Sequence, residues 1–227
     1  MSTIQLAWGT AVCVNDGASR MKVARLFIIG GWLLAAGCAK AQPAAAASAP
    51  ANTLRPLSEF SSITDSKERS LAVFAEAGKV IQHPRCLNCH PTGDRPLQGD
   101  SQRLHQPLVT RGKDGFGATA MRCISCHGAQ NFEAAQLASV PGNKIWHLAP
   151  IEMAWHGRTL GEICRQLKDR SRNGGKTMPQ MIEHMAHDEL VGWGWAPGVG
   201  RTPAPGTQKA FGDLIKAWAD SGAHCPE

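Results

Sequence analysis

Two stretches of the chain carry the same arrangement of reactive side chains. Arg85-Cys86-Leu87-Asn88-Cys89-His90 and Arg122-Cys123-Ile124-Ser125-Cys126-His127 each place two thiols three residues apart, with an imidazole directly after the second. Thiols at that spacing lie on one face of a helical turn. There they can form thioether bonds to the two vinyl groups of one porphyrin, while the following His offers its ring to the iron as proximal ligand. Cys-x-x-Cys-His is the attachment motif of c-type haem. Two copies predict two covalent haems, one on Cys86, Cys89 and His90, the other on Cys123, Cys126 and His127. A zinc site built from two Cys-x-x-Cys pairs would fit the cysteine spacing, yet it gives no reason for a His after each pair. A thioredoxin-like dithiol is disfavoured because no βαβ pattern surrounds either copy.

Six-coordinate irons need two further ligands, and seven histidines remain: His83, His105, His147, His156, His184, His187 and His224. His147 sits in the aromatic and apolar run Trp146-His147-Leu148-Ala149-Pro150. His184 lies one turn beyond Met181 on a helix opened by Thr177. These two rank first as distal ligands. His105, midway between the motifs, His83 and His187 follow, and His156 and His224 read as surface residues. Met178, in Lys176-Thr177-Met178-Pro179, resembles the Met-Pro segment that supplies the distal sulfur in single-haem cytochromes c. Met178, Met181 and Met185 also read as core-filling residues at helical spacing. The surplus of histidine favours at least one bis-His iron, with a lower potential than a Met-ligated one.

The elements that must position these groups read as helices. Leu57 to Ile81 is predicted helical, with Asp65-x-x-Glu68 as a capping start and Leu71, Phe74, Ala77 and Ile81 on one face. His83-Pro84 ends it, and Gly78 weakens its last turn. Turn-rich stretches follow at 92–96 and 111–115, then a short helix around Cys123. Thr159-x-x-Glu162 opens a helix through Ile163, Cys164 and Leu167 that Asn173-Gly174-Gly175 stops. Thr177-x-x-Gln180 opens another, through Met181, Ile182 and Met185. Trp193 to Gly198 begins a Pro/Gly-rich loop. A last helix from about Thr207 carries Phe211, Leu214, Ile215 and Trp218 on one face and stops at Ser221-Gly222. No segment alternates strictly enough for a strand. The expected fold is mainly α, with helices and long loops wrapped around two covalent haems.

The beginning of the chain reads as an export signal. Residues 1–20 look like neither signal nor domain. Met21-Lys22-Val23-Ala24-Arg25 followed by the apolar Leu26 to Ala36 has the form of a positive n-region and an h-region, so translation is expected to start at Met21. The apolar run is too short to span a membrane. Leu34-Ala35-Ala36-Gly37-Cys38 resembles a bacterial lipobox, with Ala35 where Leu is most usual; it marks Cys38 for lipidation. Cleavage after Ala39-Lys40-Ala41 is the competing reading, and both deliver the product outside the cytoplasm. Residues 1–37 are therefore assigned to the signal region, 38–56 to an Ala/Pro-rich tether, and 57–227 to the haem-bearing domain.

Loss of the signal removes three basic residues (Arg20, Lys22, Arg25) and one acidic residue (Asp16), taking the net charge from +6 to +4. With no dense Lys/Arg run, nucleic-acid binding is not expected. Cys164 and Cys225 are left over in an oxidising compartment and are expected to pair as a structural disulfide; two buried thiols are the alternative. Trp146, Trp155, Trp193, Trp195 and Trp218 suit either porphyrin stacking or core packing.

At its two motifs the chain resembles di-haem c-type cytochromes. The segments 144–150, 162–169, 172–175 and 190–198 are similar to small exported bacterial proteins labelled isoquinoline 1-oxidoreductase subunits. That resemblance implies an electron acceptor for a periplasmic molybdenum hydroxylase. The expectation is a periplasmic electron carrier rather than an enzyme. It would pass electrons between a dehydrogenase and a respiratory acceptor, held at the membrane surface through Cys38. The alternatives are a di-haem peroxidase, which needs one open iron, and a haem-based sensor, for which no effector domain is visible.

Overall fold

A computed structural model describes residues 52–133 and 139–227. The expected signal, Cys38 and most of the tether lie outside these residues. Helix far exceeds strand, at 40% against 6%, in agreement with the mainly α expectation with long loops. The helices are α1 (Ser66–Ile81), α2 (Pro84–Leu87), α3 (Leu160–Lys168), α4 (Met178–His187), α5 (Glu189–Gly192) and α6 (Gln208–Asp220). Strands occur as two small antiparallel hairpins. β1 (Leu97–Gln98) pairs with β2 (Arg103–Leu104), and β3 (Gly117–Ala118) with β4 (Met121–Arg122).

The helix starts follow local chemistry. Thr159 and Thr177 each accept the amide three residues on, and Glu162 and Gln180 reach back to the cap amides. Each of these helices thus satisfies orphan donors reciprocally. Asp65 accepts from the Glu68 amide at the start of α1, and Thr207 from Ala210 at the start of α6. Three boundaries differ from expectation. Residues 57–60 form a separate 3-10 turn ahead of α1. Pro84, which ends α1, also opens α2, because a helix's first turn needs no amide from it and His83 caps that turn. Finally, α3 ends at Lys168, before Asn173-Gly174-Gly175. Asn173 instead organises the following turn, donating to the carbonyls of Leu167 and Lys176 and accepting the Lys176 amide.

The core lies between α1, α6 and α4. Phe74, Ala77 and Ile81 of α1, Met181 and Met185 of α4, and Phe211, Leu214, Ile215 and Trp218 of α6 are all buried. Leu71 is only half-buried. Phe74 and Trp218 meet with ring centres 4.7 Å apart; truncating either side chain to Ala costs about 3–5 kcal/mol in such a setting. Two glycines set the helix spacing. A Cβ on Gly212 would fall 2.4 Å from that of Ala186, and one on Gly78 would fall 2.7 Å from Leu160.

Two further ties hold the edges. Cys164 is joined to Cys225 by a disulfide, with Cα atoms 5.5 Å apart. Residues 52–56, assigned to the tether by composition, are docked on the core. Arg55 bonds Glu76 through its amide and its Nε, each at 2.9 Å, and Leu54 packs against the core. Among the described residues no helix is long and apolar enough to cross a membrane.

Candidate functional site

Both Cys-x-x-Cys-His stretches fold into the same turn. The Cys89 amide donates to the Cys86 carbonyl and that of His90 to the same carbonyl, both at 3.1 Å. The Cys126 and His127 amides do the same to Cys123, at 3.1 and 2.9 Å. An extended residue precedes each turn, His83 ahead of Pro84–Leu87 and Arg122 ahead of Cys123–Ser125. The second turn is 3-10 where a short helix was expected, so the thiol spacing is served by a single turn.

The two histidines are held alike. His90 Nδ1 lies 2.7 Å from the Met153 carbonyl, and His127 Nδ1 lies 2.7 Å from that of Pro141. A carbonyl only accepts, so in both rings Nδ1 carries the proton and Nε2 keeps its lone pair. Ligating histidines are oriented by this kind of partner on the other ring nitrogen. Burial pushes the His90 pKa down to about 4 and lowers that of His127, so both rings are neutral donors.

The first motif opens on a cavity of 350 Å³. Cys86, Cys89, His90, Trp155, Met181, Met185, Trp193 and Phe211 line it, with His147 and His184. Trp155 stacks on His90, ring centres 3.7 Å apart and nearly parallel. The segment after the second motif completes this wall: the Ala149 amide bonds the Cys89 carbonyl, and the Trp155 amide that of His90. Buried Arg111 clamps it, donating to the carbonyls of Pro91, Gly93 and Ala149. Burial pushes the Cys86 and Cys89 thiols up to about 12 and 11.

The expected distal candidates divide clearly. His184 and His147 both reach the first cavity. His184 Nδ1 faces Asp188 Oδ2 at 3.2 Å. His147 Nδ1 bonds the Ile145 carbonyl at 2.5 Å, and its ring stacks on Phe116. His147 also borders a second cavity, of 420 Å³, beside Arg111 and Asp114. His83 is used differently: its Nδ1 accepts the Arg85 amide, which in a neutral ring places the proton on Nε2. His187 is exposed and pairs with Glu183. Met178, half-buried at the first position of α4, does not line the cavity, whereas Met181 and Met185 do. His156 and His224 are half-buried rather than on the surface.

The second motif is more open. Cys126 is exposed and Cys123 half-buried. Trp146 stacks on His127 with ring centres 4.9 Å apart, and the His105 ring lies 5.9 Å from it, tilted by 58°.

These residues fit a covalent haem at each motif. Among the described residues four cysteines are free, in two pairs, and no three His, Cys, Asp or Glu side chains gather as a metal-ion site. A porphyrin brings four nitrogens of its own, so a thiol pair and one imidazole at each motif are what it asks of the chain. Arg85, which lines the first cavity and pairs with Asp100, has a buried Nε without a hydrogen-bond partner. Lys176 lines the same cavity, so two cations border it, which suits a group that carries carboxylates as a haem does.

Sequence reasoning did not single out Arg85, Asp188 or the two carbonyls, and it left Trp155 between porphyrin stacking and core packing. One signal was readable: an Arg precedes the first Cys in both motifs, and each pairs with an Asp, Arg85 with Asp100 and Arg122 with Asp114. Comparison with protein-family models, curated proteins and solved structures found no match to this chain.

Proposed function

We propose that this chain is an exported electron carrier with two covalently attached c-type haems. The observation that carries this reading is the repeated geometry of the two motifs. Each is one turn with paired thiols and an imidazole whose Nδ1 is held by a backbone carbonyl at 2.7 Å. When bound, each haem supplies an iron that cycles between Fe(III) and Fe(II).

The chain's own residues do the rest. His90 and His127 serve as proximal ligands. Trp155, Met181, Met185 and Phe211 exclude water from the first site, which with the axial ligands sets the potential. At the first site His184 would supply the second imidazole that holds the iron. It projects from α4 and is oriented by a carboxylate, as ligating imidazoles commonly are, whereas His147 sits on a loop. Electrons pass between a dehydrogenase and a respiratory acceptor, in keeping with the resemblance of the later segments to isoquinoline 1-oxidoreductase subunits. Lipidation of Cys38 holds the carrier at the periplasmic membrane surface.

The test is expression with c-haem maturation machinery, then pyridine haemochrome quantification and spectra with and without CO. Two haems per chain, low-spin and unchanged by CO, are expected. The double variants Cys86→Ser/Cys89→Ser and Cys123→Ser/Cys126→Ser should each retain one. A chain without covalent haem sinks the reading. A wild-type iron that binds CO turns it toward a peroxidase or a sensor.

A further inference from the structure

His105, from the middle of the segment between the motifs, comes beside His127 of the second motif. Their ring centres lie 5.9 Å apart with planes inclined at 58°. Two imidazoles on opposite sides of one metal ion, with bonds of about 2 Å, have ring centres roughly 6 Å apart. Both rings are tied at Nδ1, His127 to the Pro141 carbonyl at 2.7 Å and His105 to the Pro107 carbonyl at 3.0 Å. Each Nε2 therefore keeps its lone pair.

We propose that His105 is the sixth ligand of the second iron, an assignment that rests on the haem reading above. The hairpin of β1 and β2 delivers it. Leu97 faces Leu104 across that hairpin. The His105 amide then donates to the Pro96 carbonyl at 3.0 Å, and Arg95 donates to the His105 carbonyl at 2.8 Å. The residue is thus pinned at both backbone groups while its side chain stays free at Nε2.

The surroundings suit a porphyrin between these rings. Leu104 and Leu108 flank His105, and Met121 and Ile124 flank the first thiol of the motif. Their exposures of 51%, 62%, 43% and 70% are high for apolar side chains, and a haem in this place would cover them. Among the described residues the rings in contact with His127 are His105 and Trp146, and an indole has no lone pair to give.

The expectation from sequence alone put His147 and His184 ahead of His105. The geometry divides the sites otherwise: His184 serves the first iron and His105 the second, so both irons are bis-His and closed.

The experiment compares wild type, His105→Ala and His184→Ala, each matured with haem, by pyridine haemochrome, EPR and CO titration. Wild type is expected to carry two haems and bind no CO. His105→Ala is expected to keep two haems, lose half of its low-spin signal and bind one CO per chain. Added imidazole should restore the low-spin signal, which distinguishes a vacated ligand position from a misfolded chain. The His105→Ala/His184→Ala double variant should bind two CO. A His105→Ala protein with two haems that stays wholly low-spin and binds no CO overturns this assignment alone. A wild-type chain with no covalent haem overturns the underlying reading and this assignment with it.

Discussion

The indole of Trp193 meets that of Trp146 edge-on, with ring centres 4.8 Å apart. Trp193 lines the cavity of the first motif, and Trp146 stacks on the histidine of the second. Trp193 is further fixed by a 2.8 Å bond from its Nε1 to Asn131. The two candidate sites therefore share an aromatic wall. A double-mutant cycle on Trp146→Leu and Trp193→Leu, read by chemical denaturation, is expected to give a coupling of about 1 kcal/mol. Strict additivity would mean that the contact contributes nothing of its own.

The first cavity offers two imidazoles, and they should behave differently. His184→Ala is expected to keep both haems and create one CO-binding iron. His147→Ala is expected to keep both irons low-spin, because that ring is already stacked on Phe116 in the wall between two cavities. The reverse pattern in CO titrations would exchange their roles.

Acid sensitivity should centre on Glu76. Its side chain is 3% exposed and bonded by Arg55 and by Lys79, the latter at 2.7 Å. Burial alone would raise its pKa, but the bonds from Lys79 and Arg55 outweigh it, and the group lies below its ordinary 4.5. A carboxylate depressed in the folded state stabilises above its unfolded pKa, and that contribution is lost as pH falls through the folded value. Glu76→Gln is expected to cost about 1–2 kcal/mol near neutral pH. The gap from wild type should narrow as the pH falls below 4.5. Denaturation midpoints measured across that range give the answer, and a pH-independent gap would refute it.

The disulfide closes a sequence separation of 61 residues. Chain entropy assigns such a loop about 4 kcal/mol. Cys164→Ala/Cys225→Ala should lower the melting temperature substantially and leave haem attachment at two per chain. The end of the chain should stay partly docked, because Lys168 bonds the Ala223 carbonyl and Trp218 that of His224, at 2.8 and 2.9 Å. Unchanged thermal stability would count against the entropic account.

What was legible in the sequence is what short-range chemistry decides. The caps at Thr159 and Thr177, the apolar face of α6 and the paired thiols each depend on residues within a turn or two of one another. The disulfide followed from elimination among eight cysteines. The stop of α3 was misplaced because Asn173 acts through bonds to Leu167 and Lys176 rather than as a helix terminator. The tether was drawn too long because composition does not show Arg55 reaching Glu76, 21 residues away. The distal histidines were hardest to assign. Seven rings of one chemical type differ only in where long-range packing carries them, and nothing near His105 in sequence announces that it will meet His127.

The carbonyls that orient the two imidazoles lie at very unequal distances along the chain. His127 is 14 residues from Pro141, while His90 is 63 from Met153, and the shorter span lies wholly inside the longer. Closing the outer loop costs about 1.3 kcal/mol more chain entropy than closing the inner one. In the proposed export from the cytoplasm, amino-terminus first, Pro141 would also emerge before Met153. Entropy and order of emergence thus favour the same sequence of assembly, in which the later motif settles its histidine first and the earlier motif waits for the chain to return.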